Sequence, residues 1–162
     1  ETAFNDSTLD NRLKNISWQI PSDALRSVPV KKMKSIVMIY TDWCNSCKVM
    51  QRTSFIDSTV FGYADSTFRF IGFNAETKDS IQFNGQSFAG AGTNGNPFHQ
   101  LTYALGRGNL VLPSMALLDE NNQLLDVIPY YLPPSAMKKV LFYFGQDIYK
   151  SKTWADYMRE YH

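Results

Sequence analysis

The chain has 162 residues, of which 44% are apolar and 14% aromatic, and its net charge at pH 7 is +1. This composition is typical of one globular domain with a substantial core, and it excludes an intrinsically disordered chain. The near-neutral charge gives no electrostatic basis for binding nucleic acid or an anionic membrane. No apolar run approaches the ~20 residues of a membrane-spanning helix, so we expect no membrane insertion.

Polar residues dominate the first 15 positions, which we interpret as an N-terminal tether, and residues 16–162 as a single folded domain. The chain begins at Glu1 rather than Met, so we expect that it was processed or trimmed and that any secretory signal lay upstream. Lys31, Lys32 and Lys34 form the densest group of cations. We expect them to solvate the end of a helix.

Strands are predicted from apolar runs rich in Val and Ile, and helices from apolar residues three or four apart behind a capping residue. The predicted elements, in chain order, are a strand at 17–20, a helix capped by Ser22, a strand at 35–41, a helix from Cys44, a helix capped by Asp57 or Ser58, a strand at 68–73, a long loop at 75–96, a helix from Pro97 to about Leu105, strands at 110–118 and 123–128, a helix from Ser135 to Gly145 and an extra C-terminal helix. A parallel pair joined by a crossover, followed by an antiparallel hairpin, predicts a mixed α/β sheet with helices on both faces.

The only two cysteines, Cys44 and Cys47, stand three positions apart, shortly after the apolar run 36–40. Two thiols at this spacing can close a small disulfide ring or release two electrons, but they cannot link distant parts of a fold. A helix that begins at Cys44 would expose it where free N–H groups and the helix dipole favour a thiolate. The pattern predicts thiol–disulfide exchange, with Cys44 as nucleophile and Cys47 as resolving thiol. The alternative is a pair of small buried residues.

Two motifs and the stretches around them resemble the thioredoxin superfamily over about residues 18–145. They are Trp43-Cys44-Asn45-Ser46-Cys47-Lys48 and Leu112-Pro113-Ser114, with the stretches 40–44 and 53–60. In the sequence of these stretches the chain is similar to the thioredoxin-like domains of bacterial envelope disulfide reductants, including the carboxy-terminal domain of the transmembrane disulfide reductase.

The resemblance implies a three-layer α/β/α fold with a mixed central sheet. It also implies a thiol–disulfide oxidoreductase of the bacterial periplasm or cell envelope, with the cytoplasm as the alternative. The redox-active cysteine pair would need no further cofactor. Protein disulfides would be the substrates and an upstream electron donor would recharge the pair, and we expect a monomer.

In that superfamily the proline that matches Pro113 is cis and faces the cysteine pair, and the backbone before it pairs with an extended substrate segment. The resemblance therefore implies that Trp43, Leu112 and Pro113 bind the substrate. From the sequence alone, the alternative for Pro113 is a break or bulge in an edge strand.

One position departs from the thioredoxin pattern. Met38 stands six residues before the first cysteine, where thioredoxin has a buried acid that helps to move the proton of the resolving thiol. A methionine cannot carry a proton. Asp42 is the nearest carboxylate that could substitute for the acid, and the alternative is an exposed loop charge.

The residues between the cysteines also depart from those of the relatives. Asn45 and Ser46 replace the Gly-Pro of thioredoxin and the Pro-His of the strong periplasmic oxidant, so no histidine stabilises a thiolate. A Cys44 thiolate would depend on the helix terminus, on nearby N–H and hydroxyl donors and on Lys48. We expect a pKa somewhat below that of a free thiol and a less oxidising couple, which favours a reductase.

The competing function is a metal-binding protein, for copper in particular, or an adaptor of the bacterial envelope. Cys44 and Cys47 supply two ligands and His99 could add a third, whereas a closed zinc site usually takes four. We expect no metal and interpret His99 as a residue of a helix surface. The stretch 90–95 matches the letters of a dinucleotide fingerprint without the strand and helix that this motif needs, so we interpret it as part of a mobile loop near the active-site rim.

Overall fold

The computed structural model describes residues 16–161, and the predicted N-terminal tether lies outside the described residues. In chain order its strands and α-helices are β1 (Trp18–Gln19), α1 (Pro21–Ala24), β2 (Lys34–Tyr40), α2 (Asn45–Thr53), α3 (Ser58–Thr67), β3 (Phe68–Asn74), β4 (Ile81–Phe83), β5 (Gln86–Phe88), α4 (Gln100–Leu105), β6 (Ser114–Leu118), β7 (Leu124–Ile128), α5 (Pro134–Gly145) and α6 (Trp154–Glu160). No helix within 16–161 combines the length and apolarity needed to cross a membrane.

Five strands form the central sheet in the order β1-β3-β2-β6-β7. The strands β1, β3 and β2 are parallel, β6 pairs with β2 in antiparallel orientation, and β7 pairs with β6 in antiparallel orientation. All seven residues of β2 are buried, as expected of a central strand covered on both faces. The mixed α/β sheet predicted from the order of the elements is confirmed.

Alternate residues of β2 point into two separate cores, because successive side chains of a strand lie on opposite faces. Ile36, Met38 and Tyr40 join the core that contains both cysteines and residues of α2, α3 and α5. Val37 and Ile39 join a second core with residues of α1, α4 and β4. Helices therefore cover both faces, which gives the expected three-layer α/β/α architecture.

The segment 75–96, predicted to be a long loop without regular structure, contains an antiparallel hairpin of β4 and β5. Its two-residue turn is Asn84-Gly85, and both residues adopt positive φ angles, 51° and 78°. Ile81 and Phe83 are buried in the second core, and the Asn84 side chain donates to the backbone carbonyl of Asn122 at 3.0 Å. The segment is an ordered cover of one sheet face, so the loop prediction was wrong here.

Three local predictions are also corrected. The N-cap of α1 is Ile20 rather than Ser22, because Pro21 occupies the first helical turn. Helix α4 begins at Gln100 rather than at Pro97. Lys34 does not solvate a helix end: it opens β2, is 5% exposed, and is paired with two carboxylates.

Candidate active site

The two cysteines form a disulfide at the amino terminus of α2. Cys44 is the N-cap residue: its Sγ accepts a hydrogen bond from the Cys47 backbone N–H at 3.2 Å. Its own backbone N–H donates to the Thr41 carbonyl at 3.2 Å, which closes the turn between β2 and the helix. The apolar strand and the following cap thus place the pair at the carboxyl end of a central strand, where the sequence predicted it.

The surroundings of Cys44 favour a negative charge on its sulfur once the disulfide is open. The Sγ atom lies at the amino terminus of a nine-residue helix, where unpaired N–H groups carry partial positive charge. The Ser46 hydroxyl is 3.5 Å from the same sulfur, and Asn45 and Ser46 are both exposed. Lys48 is half-buried on the next turn.

Cys47 lies deeper than Cys44, with 0% of its surface exposed against 5%. It belongs to the same core as Met38 of β2. No Asp or Glu among residues 16–161 is buried, and Asp42 is exposed in the turn before the helix. Cys47 therefore lies in an apolar core without a buried carboxylate among the described residues.

The Leu112–Pro113 peptide bond is cis. Ser114, the next residue, pairs with Ile39 in the antiparallel ladder between β6 and β2. Pro113 therefore lies at the end of the sheet where β2 leads into the cysteine pair. Leu112 is half-buried and packs against the core that holds both cysteines.

Trp43 stands next to Cys44 in the sequence and is 61% exposed. Its indole N–H donates to a carboxylate oxygen of Glu76 at 3.0 Å. Glu76 lies directly after β3, and its own backbone N–H is held by the Asn74 side chain at 2.9 Å. The start of the 75–96 segment therefore borders the candidate site, and Glu76 is a site residue that the sequence analysis missed.

Two further residues near the pair were not predicted. Gln51 is 1% exposed on α2, and neither the nitrogen nor the oxygen of its side-chain amide has a hydrogen-bond partner. The buried Thr41 hydroxyl also has none. A glutamine four residues after Cys47 lies one turn away on the same helix face, so the spacing was the signal that could have identified it.

His99, the third metal ligand considered, is buried rather than exposed on a helix surface. It caps α4: its Nδ1 accepts the Leu101 N–H at 3.1 Å, and its Nε2 is 2.9 Å from the Asp79 carbonyl. Burial lowers the pKa of His99, and the bond to Asp79 opposes that change only partly. Within the part of the chain that is described, no three His, Cys, Asp or Glu residues cluster as metal ligands would.

No family model matches the chain, and no curated protein matches it. Among solved structures, a thioredoxin-fold protein from Helicobacter pylori is similar with a TM-score of 0.62 at 15% identity, over 86% of this chain and 86% of that chain. A disulphide isomerase from Xylella fastidiosa Temecula1 has a TM-score of 0.46 at 10% identity over 73% and 79% of the two chains. StoA from Bacillus subtilis has a TM-score of 0.43 at 13% identity, over 71% of this chain and 92% of that chain. The first similarity, together with the sheet order and the two helical layers, shows that residues 16–161 have the thioredoxin fold.

Proposed function

We propose that this protein is a thiol–disulfide oxidoreductase that exchanges two electrons with protein disulfides through Cys44 and Cys47. The observation that carries the proposal is the position of the disulfide at the N-cap of α2, with Cys44 nearer to solvent than Cys47. A cap sulfur gains charge stabilisation when it becomes a thiolate, and a thiolate is the nucleophile in disulfide exchange. The thioredoxin fold supports the same chemistry.

The proposed reaction in the reducing direction has two exchanges. The Cys44 thiolate attacks one sulfur of the substrate disulfide, and the other substrate sulfur leaves as a thiolate that takes a proton from water. The Cys47 thiol loses its proton, and its sulfur attacks the Cys44 sulfur of the mixed disulfide. The Cys44–Cys47 bond forms, the second substrate sulfur leaves, and two electrons have passed to the substrate.

Substrate binding is assigned to the exposed surface around Cys44. An extended substrate segment would pair with the Leu112 backbone beside Pro113, where β6 approaches the end of β2. Trp43 would cover the segment from the other side, with its indole held by Glu76. Asn45, Ser46 and Lys48 would tune the thiolate, and Asp42 would pass protons to water.

The direction proposed is reduction, since no histidine between the cysteines stabilises a strongly acidic thiolate. A dithiol protein upstream would restore the electrons. The proposed compartment is the bacterial envelope, supported by the resemblance of residues 40–44 and 53–60 to envelope reductants. Fractionation of cells of the source organism, with this chain followed by antibody, tests the compartment.

The test of function is reduction of a protein disulfide with dithiothreitol as the electron source. We expect turnover by the wild type and none above background for Cys44→Ser. Cys47→Ser that is reduced first and then freed of dithiothreitol should form a trapped covalent complex, because that variant forms the mixed disulfide but cannot resolve it. Wild-type activity no greater than that of Cys44→Ser would refute the proposal. Equilibrium dialysis with copper(I) and zinc is the second arm: tight stoichiometric metal without turnover would assign the protein to metal binding.

A further inference from the structure

The candidate site contains a buried amide that makes no hydrogen bond in the disulfide form. Both polar atoms of the Gln51 side chain are shielded from solvent and have no partner. An unpaired buried amide destabilises a fold, because its hydrogen bonds to water are lost without replacement. Such a group at a reactive site points to a partner that exists in another state of the protein.

The helix geometry points to Cys47 as that partner. Gln51 follows Cys47 by four residues, and both lie on the buried side of α2. Helix side chains lean towards the amino terminus, so the Gln51 amide is directed at the turn of Cys47. Of the three buried residues of α2, which also include Met50, only Gln51 carries an amide. In the disulfide form the Cys47 sulfur is bonded to Cys44 and carries neither a proton nor a charge.

We propose that the Gln51 amide N–H is the hydrogen-bond donor that stabilises the Cys47 thiolate when the disulfide is open. A donor to the charged form of a thiol lowers its pKa and opposes the effect of burial, which raises it. The inference rests on the proposed function, in which the Cys47 thiolate attacks the mixed disulfide. It assigns to an amide part of the task that a buried acid would perform.

Other ionisable groups also surround the helix. Those at exposed or half-buried positions near the pair are Asp42, Lys48, Arg52 and Glu76; those on elements packed beside α2 are Tyr40 of β2 and Tyr131 of the loop before α5. The carboxylates among them would raise the pKa of the thiol rather than lower it. Tyr131 is engaged at the far end of the helix, with its hydroxyl 3.0 Å from that of Thr53.

The test uses the Cys44→Ser protein, in which Cys47 is the only thiol, and follows thiolate absorbance at 240 nm against pH. Adding Gln51→Met, which keeps the side-chain length and removes the amide, is expected to raise the pKa of Cys47 by about one unit. The matched control is Thr41→Val, which removes another unpartnered buried polar group, the Thr41 hydroxyl, and is expected to leave that pKa unchanged. Gln51→Leu gives the same readout with a different shape.

The same substitution in the active protein should slow resolution of the mixed disulfide about tenfold at pH 7 and should have no effect well above the thiol pKa, where Cys47 is ionised in both proteins. An unchanged pKa in both Gln51 variants overturns the inference, and so does an equal shift in Thr41→Val, which would indicate a general change of packing. The titration does not depend on turnover. A protein without reductase activity but with a Gln51-dependent pKa would contradict the proposed function and leave the hydrogen bond standing.

Discussion

In the proposed reaction, proton loss from Cys47 is the step that the surroundings of this thiol oppose most. The thiol is fully buried, and Met38, in the same core, cannot accept a proton. Burial in apolar surroundings raises the pKa of a thiol, which leaves little thiolate at neutral pH. A hydrogen bond from Gln51 would lower the barrier but would not remove the proton, which must still reach water or Asp42.

We therefore predict that resolution of the mixed disulfide is slow at pH 7 and quickens as the pH rises. Met38→Asp should accelerate resolution near neutrality by supplying a buried base, at a cost in unfolding free energy on the order of several kcal/mol. Asp42→Asn should slow resolution if the exposed carboxylate is the relay. Single-turnover release of substrate from the mixed disulfide, measured from pH 6 to about 9, checks both changes.

A pH-independent rate that Asp42→Asn leaves unaltered would contradict this mechanism, since proton loss would then not limit the reaction. The control is the first exchange, attack by Cys44. It should keep its rate in Asp42→Asn if that carboxylate serves Cys47 alone.

The placement of a residue could be predicted where it depends on neighbours in the sequence, and could not where it depends on distant segments. The cysteine pair and its cap could be predicted, because strand, turn and helix follow one another in the sequence. The contact between Trp43 and Glu76 could not, because the two residues meet only after β2 and β3 pair side by side.

At the scale of elements, the segment after β3 carried a signal that was overlooked. Asn84-Gly85 is the strongest short-range indication of a two-residue hairpin turn, and the turn forms there. The flanking strands are three residues long and include the exposed Gln82 and Ser87, so their apolar alternation was too short to be conclusive. The burial of His99 could not be predicted, because its partner Asp79 lies 20 positions away.

The cap formed by His99 should make the stability of this segment depend on pH. Its Nδ1 accepts the Leu101 N–H, so the folded state requires a neutral ring, and burial lowers the pKa of His99 below 6.5. Between that folded value and 6.5 the unfolded chain binds more protons than the folded one. The contribution of the His99 cap to the unfolding free energy is therefore fully present above pH 6.5. It falls as the pH drops below that value, by at most about 1.4 kcal/mol per pH unit.

The measurement is urea unfolding at pH 7.5 and 5.5 for the wild type and His99→Asn, in which asparagine still caps the helix. The wild type should lose more stability between the two pH values than the variant does. Equal losses would show that His99 does not couple protonation to folding.

At the scale of the whole molecule, the two ends of β2 have separate tasks. The carboxyl end leads into the cysteine pair, and the amino end is tied down by Lys34. Its ammonium group donates to Asp147, which follows α5, at 2.7 Å and to Glu120, in the turn between β6 and β7, at 3.2 Å. Burial alone would lower the pKa of Lys34, but the bonds to these carboxylates outweigh it and the pKa is raised. The strand places this cluster about 20 Å from the cysteines.

We predict that Lys34→Met reduces the unfolding free energy by about 1–2 kcal/mol, because methionine keeps the apolar stem but leaves two half-exposed carboxylates without their buried partner. The bond to Lys34 lowers the pKa of Asp147 below 3.8. The contribution of this ion pair to the unfolding free energy is therefore present above pH 3.8 and is lost as the pH falls through the pKa of Asp147 in the folded state. The difference between variant and wild type should therefore shrink below about pH 4. Urea unfolding at pH 7 and pH 3.5 measures this difference.

The rate of attack by Cys44 at 25 °C should stay at the wild-type value in Lys34→Met, because the lost charge is farther from the sulfur than the Debye length. A parallel loss of rate would mean that the two ends of the strand are coupled.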